Sequence, residues 1–222
     1  MSSTSQTKRP LILFGAGAAG QRARFYFERY AGYRVVAYSV DRAFMDSSRF
    51  DDLPVVPFDE LPEEYPSQEN SMFVAVGYRD QNKARGRVCS EARALGYSLA
   101  SCIAQGAAVV SETLGDNLLV METAAVGVAC KVGNGLMMSQ GAVVSHHNEI
   151  GDNVYLASNS TVAGGTRIGS FGFVGVGASV RDGLEVAPGT VIGAGAVVTK
   201  SIERPGVYVG SPARPLRFFD ED

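Results

Sequence analysis

Every sixth residue from Leu114 to Val198 is aliphatic: Leu114, Val120, Val126, Val132, Met138, Val144, Ile150, Leu156, Val162, Ile168, Val174, Val180, Val186, Ile192 and Val198, fifteen positions without an insertion. An amphipathic helix repeats its apolar face about every 3.6 residues and a half-buried strand every 2, so neither produces a period of six. A solenoid of short strands does. Three strands per 18-residue coil form a triangular prism in which the aliphatic residue points inward and a small residue fits the corner. The residue after the aliphatic position is often Gly (115, 127, 133, 151, 169, 175, 193), and the residue two before it is usually small, as at Ala124, Cys130, Ala142, Ser160, Gly172 and Ala196. The register spans five coils, which at one strand spacing of about 4.8 Å per coil gives a prism roughly 24 Å tall.

The preceding half follows a different plan. Only 7 of the 26 glycines fall in residues 1–105. Leu11–Phe14 is a short apolar run that enters a Gly-rich turn, helical spacing follows over Ala18–Ala31, and Arg34–Val40 reads as a strand ending at Asp41. Pro54–Pro57 and Met72–Val76 continue as strands, and a charged helix is expected over Asp80–Leu95, stopped by Gly96. The expected architecture is an α/β Rossmann-like domain at 1–104 followed by an all-β solenoid with a C-terminal cap at 105–222.

Residues 15–20, GAGAAG, satisfy G-x-G-x-x-G between a strand and a helix, and Asp41 lies 21 residues beyond Gly20. That pattern by itself points to NAD. A dinucleotide fold pairs two βαβαβ halves, however, and about 100 residues leave room for one, so a mononucleotide-type site at Gly15, Ala16, Gly17 and Asp41 is expected instead, with no NAD. The diphosphate would approach the helix N-terminus and Asp41 would reach ribose or base.

A formal charge of −3 and a pI near 5.5 supply no broad basic field, which argues against nucleic acid and anionic membrane surfaces as partners. The start Met1–Pro10 is polar, and no stretch approaches about 18 apolar residues, so neither a signal peptide nor membrane insertion is expected and the location is expected to be cytoplasmic. Cys89, Cys102 and Cys130 are odd in number and widely spaced, as suits buried, reduced thiols. The two histidines, His146 and His147, are too few for a three-histidine zinc site, so no metal is expected.

The stretches FGAGAAG (14–20), VVAYSVD (35–41), PVVPFDEL (54–61), FVAVGYRDQNKAR (73–85), GAVVSHHNEIGD (141–152) and VYVGSPARPL (207–216) together resemble the bacterial nucleotide-sugar acyltransferases of the hexapeptide-repeat superfamily, of the bacillosamine, perosamine and sialic-acid acetyltransferase type. The resemblance covers nearly the whole chain. It implies a left-handed parallel β-helix, a homotrimer, acetyl-CoA lying in the groove between subunits, and an N-terminal domain that holds a nucleotide-linked amino sugar destined for a surface glycan. N-acetylation is the expected reaction, with O-acetylation of a sugar or sialic acid hydroxyl as the alternative.

The resemblance puts the catalytic base at His146, and the chemistry suits it, because an amine attacking a thioester must lose a proton that a neutral imidazole can accept. It also assigns the amide of Gly164, one coil above and followed by Gly165, to the oxyanion and the acyl donor. Many relatives follow the base with an acidic residue, where this chain has His147. The orienting group is therefore open between Glu149 and Asn148, of which Asn148 falls at an inward position, while His147 could instead meet substrate or a partner subunit; His147 and Glu149 are the possible supports of the site. Relatives also carry a His in the nucleotide loop where Ala19 stands. In the tail, Lys200 and Arg214, with Arg204 and Arg217 nearby, fall where relatives bind the adenosine end of CoA, although Glu203, Asp220, Glu221 and Asp222 nearly cancel their charge. Tyr208 and Pro212 are expected to shape the cap.

Overall fold

The structure is a computed structural model and describes residues 8–219; most of the polar start and the acidic residues Asp220, Glu221 and Asp222 lie outside them. The N-terminal part contains β1 (Arg9–Phe14), α1 (Ala18–Tyr30), β2 (Tyr33–Val40), β3 (Arg49–Phe50), β4 (Leu53–Pro57), α2 (Leu61–Glu64), β5 (Ser71–Val74) and α3 (Lys83–Ala94). Its sheet has the order β3-β4-β2-β1-β5 and is parallel except for the β3–β4 hairpin. Leu11, Ile12 and Leu13 of the interior strand β1 are fully buried, as expected of a parallel sheet covered on both faces. The turn after β1 needs its glycines: Gly15 has φ +117°, and a Cβ at Gly20 would lie 2.0 Å from the Gly15 carbonyl oxygen.

The helix expected from Asp80 starts only at Lys83, because Asp80, Gln81 and Asn82 are left-handed in succession. That segment is fastened to the prism rather than wound into the helix. The buried Asn82 amide donates to the carbonyls of Phe171 and Gly172 at 3.4 and 3.2 Å and accepts from Arg85 at 3.1 Å.

The period of six is a left-handed β-helix with three flat faces of two-residue strands stacked in parallel. Fourteen of the fifteen register positions are buried, Leu114 at the wide first coil being half-buried. Outward residues distinguish the faces. One is lined by Leu119, Met137, Tyr155 and Phe173 and is covered by the N-terminal domain. A second presents Thr113, Lys131, Glu149, Arg167 and Glu185. The third is uncharged along six coils, with Ala108, Ala125, Val143, Thr161, Ser179 and Val197.

The solenoid starts earlier than the register showed. Cys102–Ile103 already pairs in parallel with Leu119–Val120, and Ala108–Val109 with Ala125–Val126. These coil steps are 17 residues, not 18. The last coils are closed by Gly206–Val209 and the antiparallel Arg214–Phe218. All three cysteines are buried and free.

Candidate active site

Residues 145–148 turn the corner between the uncharged face, at Val143–Val144, and the charged face, at Glu149–Ile150. Val144 and Ile150 point into the prism, which forces His146 and His147 outward, and both are exposed. Asn148 turns inward and is wholly buried; its Oδ1 accepts the Thr166 N–H at 2.7 Å, so it ties the corner to the next coil and does not orient a base.

Gly164 stands directly over His146. A Cβ there would lie 2.4 Å from Cε1 and 2.7 Å from Nε2 of the imidazole, so the ring packs on a site that only glycine leaves open. The Gly165 N–H donates to the His146 carbonyl at 2.9 Å and locks the two coils in register. The Gly164 N–H is different. On the corner between the charged face and the covered face, the N–H groups of Asp116, Asn134 and Asp152 are each taken by the side chain 18 residues on, Asn134, Asp152 and Ser170, at 3.1, 2.7 and 3.0 Å. The residue 18 beyond Gly164 is Asp182, whose exposed carboxylate turns to its neighbour Arg181 at 4.0 Å. Among the described residues the Gly164 N–H therefore makes no hydrogen bond, and a main-chain donor is left free one coil above an imidazole.

Nδ1 of His146 lies 3.2 Å from Nδ1 of His147. The Glu149 carboxylate is engaged away from the imidazoles. It sits on the next face of the prism, where Lys131 at 3.1 Å and Arg167 at 2.9 Å bind it and hold its carboxyl below the usual range. Arg167 continues the ladder to Glu185 at 3.0 Å.

His146, Gly164, Asp182 and Lys200 follow one another at intervals of 18 along the same edge. Lys200 and Arg214 line one cavity of about 350 Å³ at the cap, with Val198, Thr199, Tyr208 and Ala213. Arg204 and Arg217 are drawn elsewhere, over the rings of Phe218 and Phe219 at 4.3 and 5.6 Å. The Tyr208 hydroxyl donates to the Arg204 carbonyl at 2.8 Å, which makes it a part of the cap.

Gly15, Ala16 and Gly17 form the turn at the carboxyl end of β1, and Gly17 caps α1 without a side chain, leaving the first amides of the helix unfilled by side chains. This turn adjoins β5, where the strand order of the sheet reverses, the usual location for a ligand crevice. Asp41, at the end of β2, is in an ion pair with Arg87 at 2.5 Å. Two features of this region were not legible in the sequence. Tyr78, in the loop after β5, is well exposed and lays its ring 4.8 Å from that of Phe173 and 5.8 Å from that of Tyr155. Arg85, in a helix whose composition reads as solvated, is wholly buried. Among the described residues no group of three or more His, Cys, Asp or Glu could hold a metal, and no helix is long and apolar enough to cross a membrane.

A β-helix with an imidazole packed beneath a main-chain donor, joined to an α/β domain, suits an acyltransferase. Solved structures agree with that class. The acetyltransferase domain of PglB from Neisseria gonorrhoeae FA1090 is 29% identical with a TM-score of 0.83, over 94% of this chain and 100% of that one. PerB from Caulobacter crescentus, in complex with CoA and GDP-perosamine, is 29% identical with a TM-score of 0.81, over 93% of this chain and 96% of that one. WeeI from Acinetobacter baumannii AYE shares the fold at 18% identity, with a TM-score of 0.68, over 94% of this chain and 100% of that one. This chain shares the fold of the first two neighbours, an acetyltransferase domain and a protein solved with CoA and GDP-perosamine, over 94% and 93% of its length. No family model matches the sequence, and no curated protein matches it.

Proposed function

We propose that the chain transfers an acetyl group from acetyl-CoA to the amino group of a nucleotide-linked amino sugar, as a cytoplasmic homotrimer. The observation that carries this reading is the corner where His146 packs beneath Gly164. In the reaction the sugar amine attacks the thioester carbonyl carbon, and Nε2 of His146 takes the proton that the nitrogen sheds. The Gly164 N–H donates to the carbonyl oxygen as it becomes an oxyanion. The C–S bond then breaks, and the proton on His146 passes to the departing thiolate, leaving amide, CoA thiol and a neutral imidazole. No covalent enzyme intermediate is needed. The edge from Gly164 to Lys200 gives the donor a path two coil steps, or roughly 10 Å, long, with Lys200 and Arg214 at its far end for CoA phosphates.

Where the parts lie supports such an assembly. The N-terminal domain covers one face and reaches both corners beside it, through Asn82 to Phe171 and Gly172 and through Tyr26 to Glu122 and Gln140. His146 stands at the remaining corner. A sugar held by the nucleotide turn of one chain is thus presented away from that chain's own base. A second copy packed on the uncharged face, beside His146, supplies what is missing.

Release of free CoA from acetyl-CoA, followed with a thiol reagent across UDP-, dTDP- and GDP-linked 3-amino and 4-amino sugars and their hydroxyl counterparts, tests the reading. Turnover with an amino sugar and none with its hydroxyl partner is expected, and His146→Ala should lower kcat by about 10²–10⁴ while the acceptor still binds. A folded protein that binds no acetyl-CoA would end the proposal.

A further inference from the structure

We infer that His147 is the positioning residue for His146: it accepts the hydrogen bond from the His146 Nδ1–H and thereby keeps Nε2 unprotonated and aimed at the acceptor. This rests on His146 being the base and adds how that base is prepared. Among the described residues, the contact between the two Nδ1 atoms, 3.2 Å apart, is the only side-chain hydrogen bond of either ring. Glu149, the nearest carboxylate in sequence, is occupied by Lys131 and Arg167 on another face, and Asn148 is turned into the prism.

Two facing imidazole nitrogens form a hydrogen bond only when one carries the proton and the other a lone pair. If His147 donated, a neutral His146 would carry its proton on Nε2 and have no lone pair to offer an amine on that side. With His146 as donor, Nε2 is the free base, and the imidazolium formed during transfer keeps its Nδ1–H on His147. The ring of His147 does for its neighbour what an accepting carboxylate does, without adding a negative charge beside the forming oxyanion.

The backbone at His147 follows the corner pattern of the prism. His147 occupies a corner position that is left-handed in every coil from Asn117 to Gly195, and its φ is +56°. Seven of those positions are Gly (135, 141, 165, 177, 183, 189, 195) and three are Asn (117, 153, 159), the residues that adopt this conformation at least cost. The other four are Thr123, Ala129, Phe171 and His147, so the corner also accepts larger side chains and turns them outward.

That substitution pattern makes the test clean, because His147→Gly and His147→Asn place at this corner residues the same prism already carries there. The chain has two histidines, so ¹⁵N–¹H correlation of the neutral imidazoles reads both tautomers without ambiguity. The expected result is an Nδ1–H tautomer for His146 and an Nε2–H tautomer for His147. His147→Gly should keep its melting temperature and the KM for acetyl-CoA while kcat falls roughly tenfold or more, since the wrong tautomer removes the base. His147→Asp, which restores an acceptor, should recover most of that loss. An Nε2–H tautomer for His146, or wild-type kcat in His147→Gly, would overturn the inference. Failure of the underlying reading looks different: His146→Ala would turn over normally although the tautomers stand as stated.

Discussion

The guanidinium of Arg85 reaches from α3 into the β-helix and donates to the carbonyl of Asn153 at 2.7 Å. The same group donates to the carbonyls of Val76 and Val154 and to the Asn82 side chain, at 3.1, 3.4 and 3.1 Å, with no carboxylate among these partners. A buried cation is thus held by main-chain dipoles that join the two domains, and burial pushes its pKa down to about 10. Holding this charge therefore costs folding free energy at neutral pH, a cost relieved only as the pH rises beyond about 10.

Removal of Arg85 is nevertheless expected to destabilise the fold, because the carbonyls of two elements then lose their donor together. Arg85→Met should cost about 3 kcal/mol and Arg85→Lys about half of that. Thermal or urea denaturation gives the numbers, and the deficit should be flat between about pH 6 and 8, far from the pKa of this group. A Met variant as stable as wild type would show that the clamp is dispensable.

Gly164→Ala addresses the catalytic corner without removing a titrating group. The added methyl would overlap the His146 ring, and the backbone at Gly164 is not left-handed, so the chain should fold while the imidazole is displaced. We expect kcat to drop by about 10²-fold or more, comparable to loss of an oxyanion donor. Unchanged kcat in a folded variant would place the chemistry elsewhere.

Glu149→Gln is the matching control. Its carboxylate belongs to an exposed ladder, whose members contribute little singly. Turnover should stay within about twofold of wild type. The carboxyl is held below its usual 4.5 by Lys131 and Arg167, so what stability the ladder gives is present at neutral pH and fades as the pH falls below that value. A large loss of kcat here would return Glu149 to the catalytic corner.

The thiols should be silent in the proposed assay. Burial pushes Cys89 up to about 11 and Cys102 up to about 12, and the Cys130 S–H donates to the Ser145 carbonyl. A thiol reagent at neutral pH should find essentially none of them in the native protein and all three after unfolding. Rapid labelling of the native chain would contradict the packing around α3 and the first coils.

The prism was readable in the sequence because one inward residue per strand is an uninterrupted signal, and the same count placed His146 beneath Gly164. The first coil escaped because 17-residue steps at Cys102–Leu119 and Ala108–Ala125 break the period just where it starts. Arg85 escaped for a different reason. Composition ranks arginine among solvated residues, and its eleven neighbours in α3 include Lys83, Arg87, Glu91 and Arg93, so nothing local marks it as the charged residue that is buried. Glu149 misled because three residues of sequence cross a corner of the prism: proximity along the chain became separation between faces. The contact of His147 with His146 depends on side-chain rotamers at a left-handed corner, which no periodicity encodes.

The N-terminal domain covers the face opposite the His146 corner, and this arrangement has a genetic consequence. On the proposed assembly, an allele without His146 and an allele with a blocked nucleotide turn are each inactive alone, yet their mixed oligomers contain interfaces that join an intact turn to an intact imidazole. Co-expression of the two should restore part of the activity. The unit on which selection acts at this site is then the interface between chains, not the single polypeptide.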